Sequence, residues 1–357
     1  MEDGLLQKGR SRRVGIVLLT GIGDVVHGLA LANDLKRDDP TREVVWVAEP
    51  APAEVVRNHP AVDHVIAFRK NAGLEGVMEL QDAFRGLPCD LTINLMRYGK
   101  GLPPALLSGA PVRLGLPRPM TRDGVHRFNT HSLPDQPWCH TQDMFLQMRG
   151  PLGLPEDGPV EWGIAFTEEE RRDQREFFGE LRGFADGRPV VGVVLGTANP
   201  AKDWPAHLSA QLCARLEDEV GAVPLLIGGP SEGERAAAEV VMDSTRATRN
   251  GLGNSVRRMM WMVDGVDLLV STDTGPLHLA HALETPVVGL FGHTNPWRVG
   301  PWRRYHDLII DHYTEPGAEP DPSGYDPRDG RMETITVDEV VAKVKQGLNA
   351  YPTVGHP

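Results

Sequence analysis

Cysteine is scarce in this chain of 357 residues, which carries only Cys89, Cys139 and Cys213. Odd in number and far apart, they exclude a disulfide framework and a CxxC metal site, and fit reduced thiols in a reducing compartment. Positive charge is also in deficit. Lys and Arg number 37 against 49 Asp and Glu, a net of −12, so nothing overall draws the chain to nucleic acid. No uncharged apolar run approaches the ~18 residues of a membrane-spanning helix. Arg12 and Arg13 do precede an apolar run, and Ala30-Leu31-Ala32 resembles a signal-peptidase site. The run Val14–Leu19 is short, however, and Asp24 interrupts the segment beyond it, so a first β-strand and a cytoplasmic protein are expected. Three catalytic signatures are missing as well: GxSxG, GxxxxGK[ST] and HExxH. No Asp-x-Asp pair stands at a strand end to carry a nucleotide-bound divalent ion. Asp264 and Asp267 precede their strand rather than follow it.

What is present is an ordinary globular composition, 40% hydrophobic and 24% charged. At about 150 residues per domain, the length suggests two domains. Short apolar runs alternate with amphipathic segments. Strands are expected at Val14–Thr20, Val44–Ala48, His64–Ala67, Leu91–Asn94 and Val112–Gly115, with helices between them, one at Asp24–Arg37. Val, Ile and Leu on both faces indicate α/β units with parallel sheets covered on both sides. Turn residues crowd 150–159, and Thr167-x-x-Glu170 then opens a helix with a capping box, expected to run to about Leu181. The alternation restarts with strands at Val190–Leu195, Pro224–Ile227, Asp267–Ser271, Pro286–Phe291 and Leu308–Asp311. Residues 316–330 read as a surface loop, and a last helix is expected at Val337–Leu348. The boundaries adopted are 1–165, 166–335 and a C-terminal helix and tail at 336–357.

Charge is uneven. Residues 1–160 hold 18 Lys and Arg against 19 acids, leaving 19 against 30 in the remainder. Within the first part, Arg97, Lys100, Arg113, Arg118, Arg122 and Arg127 stand against Asp123 alone, a local basic patch.

Chemistry-bearing residues gather where strands end. Thr20-Gly21-Ile22-Gly23-Asp24 lies just beyond the first strand. Val26 stands where a dinucleotide fingerprint would need glycine. Asp24 is then either a helix cap or a carboxylate at the mouth of the turn. Gly196-Thr197-Ala198-Asn199-Pro200-Ala201-Lys202 lies beyond another strand. It is an ordinary loop with a solvated lysine, or backbone, hydroxyl and ammonium converging on a phosphate. Gly228-Gly229-Pro230-Ser231-Glu232-Gly233-Glu234 places acids in a first helical turn. They suit the helix dipole, or accept hydrogen bonds from a ribose. Asp273-Thr274-Gly275-Pro276-Leu277-His278 brings polar groups to a positive helix end, a good seat for a diphosphate. Phe291-Gly292-His293-Thr294-Asn295-Pro296 ends the next strand.

Together these segments resemble the ADP-heptose:lipopolysaccharide heptosyltransferase family, glycosyltransferase family 9. The resemblance runs over roughly residues 13–350 and is carried by the Gly-Ile-Gly-Asp start, by HPAVDHVIAF at 59–68 and by AKDWP at 201–205. GGPSEGERA and STDTGPLHLAHALETPVVGLFGHT agree in order and spacing. Ala198, where many members carry Thr or Ser, is a departure, and so is 316–330, which lacks a cysteine.

The resemblance implies a GT-B-like fold, two facing Rossmann-like doubly wound domains with a C-terminal helix crossing back to the first. It implies an inverting, metal-independent transferase that needs no cofactor and moves a heptose from a nucleotide diphosphate donor, ADP-heptose above all. The acceptor it implies is a lipopolysaccharide-core or other cell-envelope glycan. By the same likeness, Asp24 is the general base and Lys202 meets the donor diphosphate. Thr197, Asp273, Thr274, Gly275 and His278 contact the donor, and Glu232, with Glu234 as the alternative register, binds its ribose. Acceptor contacts fall to Gly23 and, from the basic patch, to Arg118, Arg122 and Arg127. The expected partners are a nucleotide sugar and an anionic glycan or glycolipid, with peripheral association at the inner face of the cytoplasmic membrane. Two other functions fit the same motifs: a different donor serving capsular or exopolysaccharide synthesis, and a non-catalytic nucleotide-sugar-binding protein.

Overall fold

The computed structural model describes residues 4–6 and 11–352, and the chain divides between Ala165 and Phe166 into two compact units. The first holds β1 (Arg13–Val17), β2 (Glu43–Ala48), β3 (His64–Ala67), β4 (Leu91–Asn94), β5 (Val112–Gly115) and β6 (His131–Ser132). Its helices are α1 (Ile22–Asp38), α2 (Pro50–Val56), α3 (Gly73–Arg85), α4 (Leu102–Leu107), α5 (Thr141–Leu146) and α6 (Arg149–Leu152). The strands pair in parallel in the order β3-β2-β1-β4-β5-β6. Val14, Ile16 and Val17 of β1 and Val44, Val45 and Val47 of β2 are wholly buried, as strands covered on both faces must be.

The second unit repeats the plan with β7 (Val190–Val194), β8 (Val223–Ile227), β9 (Arg249–Asn250), β10 (Leu268–Thr272), β11 (Val287–Phe291) and β12 (Ile309–Asp311). Its helices are α7 (Glu168–Ala185), α8 (Ala206–Arg215), α9 (Glu232–Asp243), α10 (Val256–Gly265), α11 (Gly275–Ala282), α12 (Pro296–Val299) and α13 (Val337–Ala350). The strand order is β12-β11-β10-β7-β8-β9, again all parallel. Counted from the start of each unit, both sheets read 3-2-1-4-5-6. Growth of each sheet therefore reverses between its first and fourth strands, β1 beside β4 and β7 beside β10. Loops leaving the carboxyl ends there diverge to opposite faces and leave a ligand crevice.

Local rules account for the element starts. Thr167 and Glu170 form the capping box read from the sequence, with Glu170 N–H to Thr167 Oγ1 at 3.2 Å and Thr167 N–H to Glu170 Oε2 at 2.8 Å. The helix they open continues past Leu181 to Ala185. The edge strands β6 and β9 have two residues each, too short to leave a pattern, and the sequence reading misses both.

The C-terminal helix α13 clusters with the second unit, where it packs against α8, β10 and β11. Val340 and Val344 are buried, and a Cβ on Gly347 would lie 2.4 Å from Leu268 of β10. The missing side chain lets the helix lie directly on its own sheet. Among the described residues, no helix is long and apolar enough to cross a membrane.

Candidate active site

The richest cluster lies at the switch point of the second sheet. Because β7 and β10 are neighbours, paired Val193 to Val270, the loops leaving them meet although 71 residues separate their key side chains. Lys202 Nζ lies 2.7 Å from Asp273 Oδ2 and 3.4 Å from the Asp273 carbonyl. His278, one turn into α11, puts Nε2 3.3 Å from Asp273 Oδ1. Burial opposes ionisation of Asp273, but the hydrogen bond to His278 and the charge of Lys202 outweigh it and hold the carboxyl well below its ordinary range. Thr274 is the N-cap of α11 in extended backbone, and its side chain caps no N–H. Gly275 and Pro276 open the helix, so its positive end lies beside the Lys202–Asp273 pair.

The structure thus brings Lys202, Asp273 and His278 together. Lys202, expected to meet a donor diphosphate, is paired with Asp273. Thr197 is engaged within its own loop. Its hydroxyl donates to Asn199 O at 2.6 Å and accepts from Asn199 N–H at 3.1 Å. It therefore shapes the loop that presents Lys202. The choice between Glu232 and Glu234 is sharpened by burial and bonding. Glu234 closes a capping box with Ser231 and accepts the Gly229 N–H at 2.6 Å. Its methylene would collide with a Cβ on Gly196, at 2.6 Å, so the glycine loops wrap around this acid. Glu232 is exposed on the first turn of α9, which leaves it the carboxylate facing solvent there.

Three supporting residues lay in segments quoted from the sequence but were given no role of their own. Asp203 comes directly after Lys202, and burial raises its carboxyl above the ordinary value against hydrogen bonds from Thr197. Trp204 donates its indole N–H to Ile335 O at 3.1 Å and anchors the loop on the segment before α13. Asn295 donates to Asp321 O at 2.7 Å and Gly324 O at 3.0 Å, tying 316–330 to the end of β11. The AKDWP run was a signal for the first two. Asn295 stood in the Phe291–Pro296 segment at the end of its strand, which was quoted without a role for it.

At the first switch point the arrangement is sparer. Leu19 N–H bonds to Met96 Sδ at 2.9 Å, joining the ends of β1 and β4. Gly21 is the N-cap of α1, without a side-chain cap, and a Cβ there would meet nothing within 4 Å. The helix starts at Ile22, two residues before the expected start, so Asp24 is the third helical residue and not the cap. Gly23 and Asp24 are half-buried in this first turn, where a negative charge is favoured. Beneath them α1 is fixed firmly. Arg149 grips Asp34 at 2.7 and 3.0 Å and the carbonyls of Glu156, Gly158 and Pro159. His27 Nδ1 lies 3.0 Å from Gln142 Oε1, which also accepts the Trp162 indole N–H.

The basic patch sorts itself by contact. Lys100 pairs with Glu49, Arg97 bonds to Met120 O, and Arg113 bonds to the carbonyls of Phe128 and Ala110. Arg118, Arg122 and Arg127 are exposed on the segment after β5.

Two doubly wound parallel sheets of one strand order, the second with a cation, carboxylate and imidazole at its crossover, follow the domain plan of the GT-B fold class. The family model of glycosyltransferase family 9 (heptosyltransferase) matches residues 105–319, more than half of the chain. The chain belongs to this family. It is 23% identical over 302 residues to the lipopolysaccharide core heptosyltransferase OpsX of Haemophilus influenzae, covering 84% of both chains. A solved family 9 glycosyltransferase of Veillonella parvula superposes with a TM-score of 0.80 at 22% identity, over 95% of this chain and 98% of that one. The E. coli heptosyltransferase WaaC with ADP-2-deoxy-2-fluoro heptose superposes with a TM-score of 0.68 at 18% identity, over 94% and 99%.

Proposed function

We propose that this glycosyltransferase transfers a heptose from ADP-heptose to a lipopolysaccharide-core acceptor, with inversion and without a metal ion or other cofactor. The observation that carries the reading is the Lys202–Asp273–His278 cluster beside the start of α11. The similar E. coli protein solved with an ADP-heptose analogue supports the donor. The Asp24 carboxylate removes the proton of the acceptor hydroxyl. The oxygen bonds to the anomeric carbon from the face opposite the diphosphate. The carbon–oxygen bond to the diphosphate breaks, and its electron pair leaves with the phosphate oxygen. Lys202 and the start of α11 meet the charge that develops there, with Thr197 shaping the loop. Asp273, Thr274, Gly275 and His278 hold the donor at the same turn, and Glu232 accepts from its ribose. The acceptor approaches over Gly23, and its anionic character suits Arg118, Arg122 and Arg127.

The test is Lys202→Ala with ADP-heptose, with ADP affinity measured by calorimetry and transfer by turnover. Donor affinity falls and transfer slows in the expected outcome, and activity of the parent survives EDTA. Unchanged affinity and rate would sink the assignment. A panel of ADP-, UDP- and GDP-sugars checks the base, and binding without turnover of any would point to a non-catalytic protein.

A further inference from the structure

The second unit carries a further hollow at the edge opposite the Lys202 loop. Residues 161–357 hold 19 Lys and Arg against 30 acids, yet no acid occurs from Thr285 to His306, a stretch with Arg298, Arg303 and Arg304. The last part of it, between α12 and β12, lines a cavity of about 440 Å³ whose walls are Arg303, Arg304, Tyr305, His306, Asp307 and Tyr351. This turn leads into β12, so it lies at the amino edge of the parallel sheet, whereas the loops with Lys202 and Asp273 leave the carboxyl edge. The turn is strained. Arg303 and Tyr305 adopt left-handed backbone, with φ of 57° and 56°, which bulky residues rarely do. Surrounding contacts hold it there. The buried Tyr305 donates its hydroxyl to Glu284 O at 2.8 Å and meets the Tyr351 ring nearly at right angles, 5.1 Å between centres. The Arg303 guanidinium lies over the Trp302 ring at 4.3 Å. Strain over-determined in this way clusters at ligand clamps and other functional sites.

We propose that this cavity binds the phosphate ester of a small sugar, at a site separate from the donor's. Arg303 and Arg304 supply two planar guanidinium forks, whose geometry matches phosphate oxygens. His306 Nε2 lies 2.9 Å from Pro301 O. A carbonyl only accepts, so Nε2 carries the proton and Nδ1 is the nitrogen left to a ligand, a donor once the ring is protonated. Arg304 rests on Glu284 at 2.7 Å, with the two side chains 46% and 67% exposed. A pair so exposed is weak, and a phosphate dianion displaces the carboxylate. Two features select an ester over a bare anion. Asp307 repels inorganic phosphate, whereas its oxygens already accept from the Tyr351 hydroxyl at 2.8 Å and Gln346 Nε2 at 2.9 Å, and their remaining lone pairs suit sugar hydroxyls. The volume is that of a small-molecule site, more than an inorganic anion fills. The inference does not depend on the transferase chemistry.

The experiment is an NMR titration of the full chain that follows the His306 ring, its signals identified by their loss in His306→Gln. The probes are glucose 6-phosphate and ribose 5-phosphate, with glucose, and sodium sulfate at matched ionic strength, as controls. The expected result is a saturable shift with at least one ester and none with glucose or sulfate. Arg303→Gln with Arg304→Gln should raise the Kd roughly tenfold or more. Both arginines are exposed, so this variant should keep the parent's melting midpoint. Glu284→Gln removes the competing carboxylate and leaves both arginines, and should lower the Kd severalfold. A merely structural ion pair would give no such gain, so this variant decides the matter even where the double variant is unstable. Lys202→Ala should leave the titration unchanged, since the donor cluster lies at the other edge of the sheet. No saturable shift in the parent, equal shifts with sulfate, a folded double variant that binds like the parent, no gain in Glu284→Gln, or loss of the shift in Lys202→Ala overturns the site.

Discussion

The two switch points share one topology and differ in the loops that the structure places there. In the second unit the cation is already latched, with Lys202 against a buried Asp273 that His278 also contacts. In the first, the loop between β1 and α1 ends on a bare glycine cap, and Asp24 stands half-buried at its edge. The difference matches the tasks proposed for them. Groups that must meet a leaving diphosphate are worth most when preorganised in a region of low dielectric. A base that must take a proton from an incoming hydroxyl needs room for that hydroxyl, and a Cβ on the neighbouring Gly21 would meet nothing within 4 Å. The rigid part of the first unit lies one layer deeper, where Arg149 commits all five of its N–H donors to Asp34 and three carbonyls.

The sharpest way to break this comparison is Asp24→Asn. If the first switch point supplies only a proton acceptor, kcat falls roughly 1000-fold while ADP affinity stays at the parent value. Single-turnover transfer and calorimetry measure the two. A turnover within tenfold of the parent would make Asp24 an ordinary first-turn acid. Next in size is Arg149→Met, which leaves Asp34 buried without its main partner. A loss of about 3 to 5 kcal/mol is expected, read by denaturant unfolding, with hydrogen exchange quickening in α1 before α11. Equal quickening in both helices would contradict a scaffold confined to the first unit.

Asp273→Asn tests the latch itself. It should cost about 2 kcal/mol, below the range for fully buried pairs, because the Lys202 side chain is 26% exposed. The pH dependence has a definite sign. The Asp273 carboxyl is held below its ordinary 3.8, so the folded state binds fewer protons than the unfolded chain. The stabilisation is complete above about pH 4 and is lost as pH falls below it. The parent should lose stability there and the variant should not, with acid titration of the melting midpoint as the check. The smallest effect is expected at His59 of the first unit. Burial lowers its pKa below 6.5 against the hydrogen bond to Trp162 O. Its stabilising contribution is therefore present above that value and declines at more acid pH. In His59→Gln the slope in mild acid should flatten, and an unchanged slope would move its origin elsewhere.

Much of the fold was legible because it is written locally. Ten strands announced themselves as apolar runs, and Thr167-x-x-Glu170 announced a capping box that forms with both its bonds. The polar loops after Val17, Val194, Ile227 and Thr272 stood out because glycine, threonine and charge interrupt long Val and Leu runs. What the patterns did not carry was pairing. Two-residue edge strands have no periodicity. The start of α1 at Ile22 turned on backbone geometry at Gly21, not on a capping side chain.

By itself, then, the sequence determined the two α/β units, the positions of the polar loops and the family. Each depends on residues close together in the chain. Only the tertiary structure decided that Lys202 rests on Asp273, that Thr197 is turned into its own loop, that Glu234 is enclosed by glycines while Glu232 is exposed, and that α13 lies on its own sheet. Those outcomes depend on which strands become neighbours and how close a helix can approach them. The parallel order that seats β7 beside β10 brings together side chains 71 residues apart. Once they are buried side by side, an unpaired charge costs more than the pair.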